Sequence, residues 1–108
     1  MAEEYIVTVE VDRNLRFTDE KGSGFYVREQ WTQNSKLHRR FGPAVTIRHP
    51  ETLQPIREEF YEEGRRHRFR FPALIVRDPS TGDIVELKFY ENGRRVVPHD
   101  PSAPRGPF

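Results

Sequence analysis

Residues 4–11 alternate, with Tyr5, Val7, Val9 and Val11 on one side and Ile6, Thr8 and Glu10 on the other. That two-residue period is the mark of a half-covered strand. Asp12-Arg13-Asn14 reads as a polar turn, residues 15–18 as the start of a second strand, and residues 25–32 as its return after the turn-forming Lys21-Gly22-Ser23-Gly24. Two more hairpins follow, turning at His49-Pro50-Glu51-Thr52-Leu53-Gln54 and at Asp78-Pro79-Ser80-Thr81-Gly82-Asp83. In the returning strands Val27/Trp31, Ile56/Phe60 and Val85/Leu87/Phe89 share one side, and Arg28/Gln30, Arg57/Glu59 and Glu86/Lys88 share the other. The pattern predicts one packed face and one wet face, with Tyr61 and Tyr90 lying over arginine stems on the wet one.

The hairpins sit in a single register. Trp31, Phe60 and Phe89 are 29 residues apart, and the same step carries Ser35 to Gly64 and Gly93, His38 to His67 and Val96, and Pro43 to Pro72 and Pro101. It also aligns Val45-Thr46-Ile47-Arg48 with Leu74-Ile75-Val76-Arg77. A self-similar period of this size signals a repeat architecture. The expected fold is all-β: an antiparallel meander of about seven strands, an N-terminal strand followed by three hairpin units near 15–31, 44–60 and 73–89, forming a twisted sheet or a half-closed barrel. Residues 1–97 make one domain and residues 98–108 a Pro-rich tail. Helix is limited to a short turn in the connectors 36–41 or 65–69.

The segment Trp31-Thr32-Gln33-Asn34-Ser35-Lys36-Leu37-His38-Arg39-Arg40-Phe41-Gly42-Pro43-Ala44 resembles the aromatic-x-x-x-Gly-x-x-His-Arg-x-x-Gly-Pro-Ala repeats of short phage and mobile-element proteins, which are similar to MORN-type hairpin repeats. The second copy keeps Phe60, Gly64, His67, Arg68, Pro72 and Ala73 but has Phe71 in place of the glycine. The third keeps Phe89, Gly93 and Pro101. The resemblance implies a β-rich repeat scaffold that acts as a binding surface, and it implies no reaction.

Composition narrows the chemistry. With 108 residues, 34% of them hydrophobic and 32% charged, the chain supports one modest core. It has no cysteine, which removes disulfides, thiolate nucleophiles and zinc ribbons. No apolar run approaches a membrane span, and the acidic Met1-Ala2-Glu3-Glu4 start is unlike a secretory signal, so a cytoplasmic location without membrane contact is expected. The net charge of +1 leaves any bias to local clusters.

The densest cluster is Gly64-Arg65-Arg66-His67-Arg68-Phe69-Arg70-Phe71, to which the register adds Arg39, Arg40, Arg94 and Arg95. Stacked repeats would turn these charges into a stripe beside Phe41, Phe69, Phe71, Tyr61 and Tyr90, fit to meet an acidic protein surface or to neutralise phosphates and stack bases. The competing possibility is that Arg65 and Arg66 pair with Glu58, Glu59, Glu62 and Glu63. Recurrent His38 and His67 suit hydrogen bonds to connector backbone, and two imidazoles alone make no metal site. His49 and His99 lack a companion nucleophile and oxyanion hole. Pro98, Pro101, Pro104 and Pro107 fall at the three-residue period of a polyproline II helix. The expected function is a non-enzymatic, cofactor-free protein-binding module of the phage or mobile-element type, occupying a host protein as an anti-CRISPR does. The alternative is a nucleic-acid binder using the arginine stripe. Homodimer pairing through open sheet edges is a further expectation.

Overall fold

The computed structural model describes residues 4–97; the proline series from Pro98 onward and His99 lie outside the described residues. Ten strands run in chain order: β1 (Ile6–Asp19), β2 (Gly22–Gln33), β3 (Lys36–Leu37), β4 (Val45–Arg48), β5 (Pro55–Glu59), β6 (Tyr61–Glu62), β7 (Arg65–Arg66), β8 (Leu74–Arg77), β9 (Ile84–Glu91) and β10 (Arg94–Val96). The main sheet is an antiparallel meander in the order β1-β2-β4-β5-β8-β9-β10, open and not closed into a barrel, with β3 also on β2 and with β6-β7 as a separate ribbon. No helix occurs among the described residues. The shortest dimension is 19 Å against 52 and 40 Å, so the molecule is one sheet thick.

Two sequence expectations change. Asp12-Arg13-Asn14 is not a turn: it bulges out of a continuous β1, the register jumping from Asp12↔Tyr26 to Arg16↔Phe25. Asp12 Oδ1 accepts the Asn14 N–H at 3.0 Å, a local bond that mimics a turn in sequence yet only kinks the strand. The first reversal accordingly lies at Glu20-Lys21, between the paired Asp19 and Gly22.

The second change concerns packing. Directly paired residues share a face, and pairing links Arg28, Ile47, Arg57, Val76 and Glu86 in one row and Gln30, Val45, Glu59, Leu74 and Lys88 in the next. Each row alternates charged or amide residues from returning strands with aliphatic ones from outgoing strands. Val45, Ile47 and Leu74 are thereby buried beneath long polar stems that pair along their own strands. Arg57 Nε meets Glu59 Oε2 at 2.7 Å, Lys88 Nζ meets Glu86 at 3.0 Å and Arg28 Nε meets Gln30 at 2.6 Å. On the opposite face Val85 and Leu87 stay exposed, as do Val7, Val9 and Val11, because no second layer covers them. Packing is therefore concentrated in the centre of the sheet, in Tyr26, Val45 and Ile47 with Leu15, Phe17, Leu37, Ile56 and Tyr61, and in Phe60, Ala73 and Ile75 with Tyr90.

The connectors hold tight hairpins where a turn of helix was the alternative. Residues 34–35, 63–64 and 92–93 reverse the chain between the pairs Gln33↔Lys36, Glu62↔Arg65 and Glu91↔Arg94. All six have positive φ: 53 and 63° for Asn34 and Ser35, 50 and 81° for Glu63 and Gly64, 53 and 81° for Asn92 and Gly93. Positive φ at both central positions defines the type I′ turn, whose twist suits a two-residue hairpin and whose second position favours glycine. Ser35 bears a side chain there. Ser35→Gly is expected to stabilise the fold by about 0.5–1 kcal/mol, read as a rise of a few degrees in thermal midpoint.

Each tip hairpin is stitched to the next by bonds that recur 29 residues on. Gly64 N–H donates to Leu37 O and Gly93 N–H to Arg66 O, both at 2.8 Å. Arg39 N–H donates to Tyr61 O and Arg68 N–H to Tyr90 O. His38 Nδ1 accepts the Glu63 N–H and His67 Nδ1 the Asn92 N–H, each at 2.9 Å. The recurrent histidines thus bind connector backbone, but that of the following unit and not their own.

Candidate binding edge

Trp31 and Phe60 stand in equivalent positions, their N–H groups donating to Ala44 O and Ala73 O at 2.8 Å. A guanidinium lies over each ring: Arg39 at 3.7 Å from the Trp31 centroid and Arg68 at 4.0 Å from that of Phe60. Each arginine then donates from Nη1 to the proline carbonyl that ends its connector, Arg39 to Pro43 at 3.3 Å and Arg68 to Pro72 at 3.2 Å. One side chain so clamps the connector to its own aromatic. In the first unit this needs Gly42 at φ 129°, where a Cβ would come 3.0 Å from the Arg39 guanidinium carbon. The second unit meets the same crowding differently. Arg70 takes the left-handed conformation at φ 67°, and the Phe71 ring lies 5.0 Å from the Arg68 guanidinium carbon. The missing repeat glycine is thus replaced by a strained neighbour and a second aromatic face.

Between successive connectors lie two clefts in the same register. Arg39, Phe41, Phe60, Glu62, His67 and Arg68 line the first. Adding 29 to each gives Arg68, Arg70, Phe89, Glu91, Val96 and Val97, and those six line the second. Phe41 and Phe69 line these clefts and are 83 and 65% exposed, and Phe71, against Arg68, is 59% exposed. Arg40 stacks near Phe41 and Arg70 near Phe69, at 5.6 and 5.3 Å. Rings this open with cations alongside are costly in water unless something covers them, and they give the edge its capacity for contact.

The expected arginine stripe divides. Arg39, Arg40, Arg68 and Arg70 line the clefts or their rim, whereas Arg65, Arg94 and Arg95 are exposed on the tip hairpins, opposite Glu62, Glu91 and Tyr90. Arg66 turns inward. Its Nη2 donates to Glu59 Oε1 at 2.7 Å and to the Tyr61 hydroxyl at 3.1 Å, and its guanidinium carbon lies 5.5 and 5.2 Å from the rings of Tyr61 and Tyr90. The Tyr61 hydroxyl donates to Glu59 Oε1 at 2.8 Å. Expected in water, that hydroxyl is instead committed to a buried carboxylate. Burial works to raise the Glu59 carboxyl, but Arg57, Tyr61 and Arg66 outweigh it and hold the group below the usual carboxylate range. Burial, then Glu59, pushes the Tyr61 phenol up. Burial lowers Arg68, with Glu58 opposing.

The pairing of Arg66 with Glu59, one of the alternatives read from the sequence, is found, with Glu59 as the hub of the network, whereas Glu62 and Glu91 were passed over as cleft residues. The last two were visible as acids one repeat apart, immediately before the turn.

A larger hollow than either cleft lies at the other end of the strands, among Phe17, Asp19, Tyr26, His49, Thr52 and Ser80. His49 Nε2 lies 3.3 Å from Asp19 Oδ2 while its Nδ1 accepts the N–H groups of Glu51 and Thr52 at 3.1 and 3.3 Å. With both ring nitrogens engaged, the imidazole has no free lone pair to deprotonate Ser80 or Thr52, and its geometry is that of a turn brace. Asp78 Oδ1 braces the next turn alike, accepting from Ser80 and Thr81 N–H at 2.7 and 3.2 Å. Among the described residues no three His, Cys, Asp or Glu side chains gather as metal ligands, and no helix is long and apolar enough to cross a membrane.

Compared with protein-family models, with curated proteins and with solved structures, the chain gives no match.

Proposed function

We propose that this chain is a non-enzymatic protein-binding module of the phage or mobile-element kind, acting by occupying a surface of a host protein such as a component of a CRISPR defence system. The observation that carries the reading is the pair of register-equivalent clefts lined by Phe41 and Phe69, with Phe71 exposed against Arg68. Exposed aromatics flanked by arginines are the residue types that anchor protein interfaces. Inhibition by occupancy requires no reacting group.

The edge also has what a single-stranded nucleic acid would use, cations beside stacking rings. Glu62 and Glu91 inside the clefts weigh against that use, since they repel phosphate. Two measurements separate the readings. Phe69→Ser with Arg70→Ser is expected to reduce retention of a host partner about tenfold or more, with the thermal midpoint nearly unchanged, whereas Arg65→Ala on the tip hairpin changes little. Retention indifferent to the rim variant would refute the reading. Binding to single-stranded DNA that weakens log-linearly with salt, with a slope flattened by Arg68→Ala and Arg70→Ser, would favour the nucleic-acid alternative.

A further inference from the structure

The third repeat breaks the clamp. Arg39 covers Trp31 and Arg68 covers Phe60, and the register places Val97 where those arginines stand. Phe89 is half-buried, as Trp31 is, but with no guanidinium over its ring among the described residues, and Val97 itself is 80% exposed. The carboxylate keeps its place but not its internal partner: Glu91 lines the second cleft as Glu62 lines the first, yet Glu62 pairs with His67 Nε2 at 3.0 Å and the register puts Val96 where that imidazole stands. The arginines beside Glu91 are engaged elsewhere. Arg68 is held against Phe60, Phe71 and the Pro72 carbonyl, and Arg70 against Phe69.

We infer that the cleft formed by Phe89, Glu91 and Val97 receives an arginine side chain from a partner protein, the incoming guanidinium lying over the Phe89 ring and pairing with Glu91. The fold already holds Arg68 over Phe60 in the first cleft, with Arg39 nearby and Glu62 on the wall paired to His67; the terminal copy keeps the ring and the carboxylate but has Val97 and Val96 in place of that guanidinium and that imidazole. With Arg68 and Arg70 on the same lining already stacked on other rings, the Phe89 face and the Glu91 carboxylate select the occupant: a planar cation satisfies both together, which a carboxylate or phosphate ligand does not. This inference rests on the protein-binding reading and specifies the chemistry of the partner that it requires.

A small probe tests the cleft without any host protein. N-acetyl-arginine amide is titrated into the full-length, isotope-labelled chain while backbone amide shifts are followed, with the lysine and citrulline amides as comparisons. The expected result is a saturable shift at Phe89, Glu91 and Val97, several-fold weaker for lysine and absent for neutral, isosteric citrulline. Phe89→Leu and Glu91→Gln should each weaken binding about tenfold, in line with loss of one cation–π contact or one ion pair. Two further variants turn the argument around. Val97→Arg should abolish the site by filling the cradle from within, and Arg68→Ala should open a second site at Phe60. Equal shifts with citrulline, or no shift at Phe89 at millimolar arginine amide, would overturn the inference. Should the probe bind only after Arg105→Ala, the cleft belongs to this chain's own C-terminal segment and the partner assignment fails. A failed titration alongside a host partner still lost on Phe69→Ser with Arg70→Ser would remove this inference and leave the broader function standing.

Discussion

Ile47→Ala is expected to cost about 3 kcal/mol, within the 2–5 kcal/mol typical of emptying a buried isoleucine site. For a domain of this size that is a large share of its stability. Ile47 is 2% exposed and packs with Tyr26 and Val45 at the centre of the sheet. A one-layer molecule has little with which to refill the space, since Leu15, Phe17, Leu37 and Tyr61 are themselves only partly covered. Leu87→Ala provides the contrast. Strict alternation along β9 marks Leu87 as core, yet it is 43% exposed, and its removal should cost less than about 1 kcal/mol. Denaturant midpoints of the two variants decide the matter: equal losses would mean that the face bearing Leu87 is covered after all.

The second large effect concerns Glu59. Its carboxylate receives Arg57, Arg66 and the Tyr61 hydroxyl at 2.7 to 2.8 Å and is 7% exposed. Glu59→Ala should cost about 2–4 kcal/mol, because it strands a half-buried guanidinium and a phenol together. Glu59→Gln should cost about half as much, since the amide oxygen still accepts from Tyr61. The pH dependence has a definite sign. A carboxyl held below its unfolded value contributes fully above that value and loses its contribution as pH falls through the lowered one. Stability of the native chain should therefore decline below the ordinary carboxylate range, and Glu59→Gln should flatten that decline. Asp19 shifts the same way through its bond from the Lys21 N–H, and Glu86 through Lys88, but both are open to water and screened. Unfolding curves from pH 3 to 7 supply the measurement; a Glu59→Gln profile parallel to that of the native chain would exclude Glu59 as the source.

Much of this architecture could be read before any coordinates. The 29-residue step in Trp31, Phe60 and Phe89 and in the two outgoing strands specified hairpin units and their adjacency, because a period can persist only if like positions meet like surroundings. The turns at residues 49–54 and 78–83 were equally plain. What failed was inference from polarity alone. Asp12-Arg13-Asn14 has turn chemistry but stays within a long strand whose partner is already fixed by β2. The division into a dry and a wet face failed because arginine, glutamate and lysine stems in this thin sheet serve as the covering layer over Val45, Ile47 and Leu74. The candidate site was half legible. Basic residues near Phe69 and Phe71 were evident, and pairing of Arg66 with a nearby glutamate was one of two readings, but a sequence carries no sign of which arginine takes which role, Arg66 turning inward to Glu59 while Arg68 faces a cleft. Asn92-Gly93 is the one tip whose type I′ chemistry is written outright, and Asn34-Ser35 and Glu63-Gly64 follow it only by register.

The tip stitches from Leu37 to Gly64 and from Arg66 to Gly93 make the second boundary between tip hairpins a copy of the first. Such an object has a pitch. Two strands advance it by roughly 10 Å, so a surface that engages both clefts must present its own features at that interval, and the protein measures its partner as a gauge measures a thread.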